Sequence, residues 1–162
     1  VASTEGNRPL LIEVQTLVSP TGFSVPQRTA TGFDNRRLQM IIAVLEKKIG
    51  AMFYKYDVFL NIAGGLKVND TSTDLGIAMS LVSSLNNQPL SKNTIVIGEI
   101  GLTGEVRPVS GLVEKIKEAE KLGFKKAIVP NVKKFSYRSS KIDLIKVNRI
   151  EEALKKLELW NL

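Results

Sequence analysis

The chain has 162 residues, 43% of them hydrophobic and 24% charged, which is enough to bury a core and typical of a globular domain. It contains neither cysteine nor histidine, which excludes disulfides, thiolate nucleophiles, Cys/His zinc sites and every Ser-His or Cys-His catalytic pair. The net charge of +7 lies in two blocks: residues 21–60 carry six basic against three acidic residues and residues 114–162 thirteen against seven, while 1–20 and 61–113 are each at −1. Such blocks suit a polyanion-binding surface as well as a merely solvated one. No apolar run approaches the roughly 18 residues of a membrane span, and Val1 to Glu5 carry no basic-then-apolar leader pattern. The expectation is a cytoplasmic, nucleoid-associated chain, or a fragment of one, with no membrane contact.

In chain order, alternation of Leu10, Ile12 and Val14 with Glu13 and Gln15 predicts a strand over 10–18. Ser19-Pro20-Thr21-Gly22 and Val25-Pro26 then read as turns. Leu38, Ile41, Ile42, Leu45 and Ile49 fall at helical spacing and predict a helix over 36–49, with Gly50 as its stop. A strand over 56–63 ends at Gly64-Gly65, and a helix over 75–85, whose only polar residues are Ser80, Ser83 and Ser84, reads as buried on most sides. A strand over 94–100 runs into the turn Gly101-Leu102-Thr103-Gly104 and is followed by a charged helix over 112–122. Short strands over 127–129 and 144–147 and a closing helix over 149–159 complete the chain. The sum predicts an α/β two-layer sandwich, with helices packed on one face of a mixed sheet, and a single domain over 1–162.

The first helix carries the most informative geometry. At about 100° per residue, Arg36 and Lys47 project opposite the apolar stripe while Arg37 and Lys48 line a flank, each pair about 16 Å apart along the axis. With Arg28 and Arg36 bracketing Gly32, this makes a basic ridge suited to phosphates. Gly64-Gly65-Leu66-Lys67 follows a strand, but no phosphate-loop or dinucleotide fingerprint accompanies it, so a tight turn is the better reading. Asp70 and Asp74 fit a helix start better than a metal cluster with Glu99 and Glu105.

Ordered motifs then carry a resemblance. Asp74-Leu75-Gly76-Ile77-Ala78-Met79, Gly98-Glu99-Ile100-Gly101-Leu102-Thr103-Gly104-Glu105-Val106-Arg107-Pro108-Val109, Gly111-Leu112-Val113-Glu114-Lys115 and Ala127-Ile128-Val129-Pro130 resemble the proteolytic domain of Lon over roughly residues 58–158. More closely, Thr4-Glu5-Gly6, Arg8-Pro9-Leu10-Leu11-Ile12-Glu13-Val14-Gln15, Pro26 with Arg28, and Gly32-Phe33-Asp34-Asn35-Arg36-Arg37-Leu38 resemble the Lon-like C-terminal domain of the RadA/Sms family of bacterial DNA-repair proteins, over essentially the whole chain.

The resemblance to Lon makes a chemical test possible, because Lon peptidases use a serine nucleophile and a lysine base. Those positions correspond to Asp74 and Val113 here, neither of which can play its part. Ser72 could replace the nucleophile only with a base, and Lys115, two residues beyond Val113 on the helix, should face away. The resemblance to RadA/Sms implies a non-proteolytic, hexamer-forming scaffold and sequence-independent DNA-contact surface for an ATP-driven branch-migration motor. It also implies zinc-binding and RecA-like ATPase domains outside this sequence, with ATP, magnesium and zinc as their cofactors and none for this domain. Single-stranded and branched DNA, a homo-hexameric ring and a recombinase are the implied partners. Arg28, Arg36, Arg37, Lys47 and Lys48 are the first candidates for DNA contact, and Lys67 and Lys115 the second. The alternatives are a pure oligomerisation module and, more remotely, an active peptidase; nothing in the charge pattern favours DNA over RNA.

Overall fold

The computed structural model describes residues 1–5, 8–133, 135 and 137–160. The chain opens with an antiparallel hairpin, β1 (Ala2–Glu5) and β2 (Arg8–Leu11). Strands β3 (Val14–Pro20), β4 (Arg28–Thr31) and β5 (Tyr56–Ile62) form a sheet in the order β3-β5-β4, in which β5 is antiparallel to β3 and parallel to β4. Between β4 and β5 lies helix α1 (Asn35–Ile49). Its limits are written locally: Asp34 caps the start by accepting from the Arg37 amide at 2.8 Å, and Gly50, at φ 69°, ends it with its N–H on the Glu46 carbonyl. Lys47 and Lys48 in the last turn complement the carbonyl end of the helix.

Helix α2 (Asp74–Leu85) is buried along eight of its twelve residues, as its apolar composition demands. Then come β6 (Thr94–Val96), the short antiparallel pair β7 (Glu99–Ile100) and β8 (Val106–Arg107), α3 (Leu112–Lys121), β9 (Lys126–Pro130), β10 (Asp143–Val147) and α4 (Ile150–Lys156). Strands β6, β9 and β10 form a parallel sheet in the order β10-β9-β6. After Lys126 the central strand β9 is a continuous buried run, which marks a strand covered on both faces. Ile128 packs with α1, α2 and α4 in one core, whereas Ala127 and Val129 pack with Leu112, Ile116 and Ala119 of α3 in a second.

The structure is therefore mixed α/β, but two expectations are corrected. Among the described residues the strands divide into four small sheets instead of one, and helices lie on both faces of the parallel sheet. The strand expected over 10–18 breaks at residues 12–13, and the one over 94–100 breaks at residues 97–98. Ile97 donates to the Ile128 carbonyl and Gly98 to the Ser72 carbonyl, so the chain leaves one partner for another.

Candidate nucleic-acid interface

Helix α1 presents its cations much as the helical spacing predicts: Arg36 and Lys47 are exposed and Arg37 and Lys48 half-buried. At its N-terminal end, Gly32 sits at φ 78° where a Cβ would run into the Leu66 carbonyl, and its own carbonyl accepts from the Val68 amide at 2.8 Å. This close approach brings the 66–68 segment against the start of α1, so that the exposed Lys67 shares a recess with Gly32, Phe33 and Asp34. Gly64 and Gly65 both have positive φ with open space around them, as a turn requires. At the C-terminal end of α1, Lys48 and Arg149 both border Gly104, the nearest side-chain atoms to an added Cβ there at 3.1 and 3.4 Å. Arg149 donates to the Thr103 carbonyl at 2.7 Å and pairs with Glu151 at 3.4 Å. Arg149 is thus a cation beside the ridge that helical periodicity in α1 alone does not reveal, because it comes from the far end of the chain.

Three candidates are committed to internal partners. Arg28 donates through Nη1 to the Tyr56 carbonyl and through Nη2 to the Phe53 carbonyl at 2.8 Å, tying β4 to the turn before β5. Burial pushes its guanidinium below the ordinary value. Arg37 forms a bidentate pair with Asp74, Nε to Oδ1 at 2.6 Å and Nη2 to Oδ2, and the Asp74 side chain is fully buried. Asp74 also accepts from the Ile100 amide at 3.3 Å. The bond to Asp74 raises Arg37, while burial pushes the Asp74 carboxyl up against the lowering pull of that guanidinium. Lys115 is fully buried, 2.9 Å from Asp70 Oδ2 and donating to the Ser110 carbonyl at 2.8 Å.

The same contacts bear on peptidase chemistry. Asp74 is locked to Arg37, and Val113 is a half-buried aliphatic side chain. Ser72 is buried and its hydroxyl donates to the Ala2 carbonyl at 2.8 Å. Lys115 faces inward, not away, but its ammonium is held by a carboxylate and a carbonyl, while the Ser72 hydroxyl is turned to the Ala2 carbonyl. Burial acts to raise Asp70, yet the Lys115 hydrogen bond and the Ser72 amide outweigh it and hold the carboxyl below its ordinary value. Among the described residues no group of three or more Asp or Glu side chains is placed to hold a metal ion. Beside the Arg37–Asp74 pair, Met40, Glu99, Leu102 and Arg107 line a cleft. Arg107 is divided there between Glu99 at 3.7 Å and Glu105, whose carboxyl is held down at about 2, chiefly by the Thr103 hydroxyl.

Comparison with known proteins decides the kinship. The family model described as subunit ChlI of Mg-chelatase matches residues 19–133. The chain belongs to that family. Its similar relatives carry the name DNA repair protein RadA: 46% identical over 156 residues in Halalkalibacterium halodurans, 44% over 155 in Bacillus subtilis and 45% over 157 in Pseudomonas aeruginosa. These matches cover 96%, 95% and 97% of this chain but 34%, 34% and 35% of the RadA proteins. The chain thus spans about a third of the length of these relatives. The resemblance to RadA drawn from Arg8-Pro9-Leu10-Leu11 and Gly32-Phe33-Asp34-Asn35-Arg36-Arg37 is borne out.

Proposed function

We propose that the chain serves as the non-proteolytic, Lon-like domain of a RadA-type DNA-repair protein, giving an ATP-driven motor a scaffold and a sequence-independent phosphate-binding surface. The observation that supports this most is the arrangement about α1: Arg36 and Lys47 are exposed on its outer side, Lys67 joins them at one end, and Lys48 and Arg149 meet at the other. Cations about 16 Å apart along one helix span several phosphates of a strand, as a backbone contact requires. The names of the RadA relatives support DNA as the polyanion and DNA repair as the setting. Hexamer formation, branch migration, a recombinase partner, and ATP, magnesium and zinc chemistry in the rest of the protein belong to this proposal as properties of the longer RadA-type protein.

The occupied dyad positions support a domain without peptidase activity, since a carboxylate pinned by a guanidinium is no nucleophile and valine accepts no proton. The test is the double variant Arg36→Glu/Lys47→Glu, studied by duplex and single-strand binding together with mass by light scattering. The expected result is a loss of DNA affinity of at least tenfold at unchanged mass. Loss of the assembled state with unchanged affinity per subunit would instead assign α1 to a pure oligomerisation module.

A further inference from the structure

The second basic block folds into a surface of its own, separated from α1 by the parallel sheet. On α3, Lys117 and Lys121 are one turn apart and project to the same side. They meet the segment leading into β10, where Lys117, Lys121, Lys141, Tyr137 and Glu120 line one recess. Tyr137 donates to Glu120 at 2.7 Å, and its ring carries the Lys117 ammonium at 5.8 Å. Phe135 stacks edge-on against Tyr137 with centroids 6.4 Å apart and carries the Lys146 ammonium at 5.3 Å. The result is a continuous strip, lysine, ring, ring, lysine, in which aromatic faces fix the positions of exposed ammonium groups.

Carboxylates lie among these lysines: Glu120 accepts from Tyr137 and faces Lys141, Glu118 pairs with Lys121 at 3.4 Å with the lysine side chain 74% exposed, and Glu114 and Asp143 are exposed. Lys117 and Lys146 are held over rings instead, which leaves their ammonium groups open to an added anion. Both rings are half-buried beneath ammonium groups, so they offer no open face for stacking a base or anchoring a peptide. Compact ammonium charges without base-reading side chains match phosphate oxygens.

We infer that this strip is a second phosphate-binding surface, which takes a second nucleic-acid segment while the α1 ridge holds the first. The inference rests on the nucleic-acid reading of α1. One chain would then hold two arms of a branched DNA, on opposite faces of the β6-β9-β10 sheet, without contacting any base.

The test is a capture assay, in which the chain is bound to a bead-tethered 20-base-pair duplex and challenged with a second, fluorescent duplex of unrelated sequence. The wild-type chain should retain the second duplex at low salt. Lys117→Glu/Lys121→Glu/Lys141→Glu should bind the tethered duplex within about threefold of wild type but capture at least tenfold less. If its circular dichroism shows misfolding, the Lys→Gln triple replaces it, with the same expectation. Capture undiminished in the triple variant would mean that several copies bridge DNA through their α1 ridges alone, and would overturn the inference. Wild-type binding to one duplex without capture of a second overturns it too, leaving the α1 reading intact, whereas failure to bind any duplex overturns both. Binding of polyglutamate that the triple variant loses, without DNA capture, would reassign the strip to an acidic polypeptide.

Discussion

Arg36 and Arg37 are neighbours in sequence with opposite fates, and the difference is geometric. Arg36 points to solvent, whereas Arg37, 100° further round, reaches the buried carboxylate of Asp74 across the α1–α2 interface. Arg37→Ala should therefore destabilise the fold by about 3 kcal/mol, since it leaves a buried carboxylate without its partner. Arg36→Ala should change stability by less than about 0.5 kcal/mol, as an exposed surface site does. Urea unfolding of the two variants checks both. Asp74→Ser, which restores the Lon nucleophile type, should hydrolyse no fluorogenic peptide because Val113 still supplies no base. The Lys115–Asp70 pair has a pH signature. Its folded carboxyl lies below the ordinary value, so its contribution is complete above the unfolded value near 3.9 and fades as the pH falls through the lower folded one. Lys115→Met should cost about 2–3 kcal/mol at pH 7, with Asp70 partly exposed, and should lose less further stability than wild type as the pH falls from about 4 to about 2. Urea midpoints measured across that range decide it.

At the scale of elements, α1 was the most legible. Its cap, apolar stripe and glycine stop are all local, so its limits and the outward side of Arg36 and Lys47 follow from spacing alone. Strand β4 was hidden because its four residues, Arg-Thr-Ala-Thr, lack an apolar run and sit between turn residues; parallel pairing with β5 is what makes it a strand. The inward turn of Arg28 has the same cause, since its carbonyl partners belong to a segment 25 to 28 residues away. Lys115 misled for a different reason. A charged helix favours a solvent reading, and only the fold shows Asp70 beneath it, although Leu112 and Ala119, three residues before Lys115 and four after it, share its face and were a usable sign. Arg28→Ala should accordingly lower the unfolding midpoint while leaving the salt dependence of DNA binding as in wild type, which separates a strand tether from a phosphate contact.

At the scale of the whole molecule, the α/β class was readable from the alternation of elements, but the division into four sheets was not. Strand breaks at residues 12–13 and 97–98 depend on hydrogen bonds to distant carbonyls and leave no local sign. The two-sided burial of β9 did leave one, in the unbroken run Ala127-Ile128-Val129. That sheet keeps the α1 ridge apart from the lysines about α3, although Arg149 of the second charge block lies beside α1. The measurement that bears most directly on the central claim is duplex affinity across a salt series. With Arg149 held by Glu151 and the Thr103 carbonyl, the other four cations about α1, Arg36, Lys47, Lys48 and Lys67, each neutralising one phosphate, predict log K falling linearly with log salt with a slope of about −3.6 per bound chain. In Arg36→Glu/Lys47→Glu the slope should be shallower by about two. A wild-type affinity independent of salt, or no binding at low salt by a chain shown to be folded, would contradict the account.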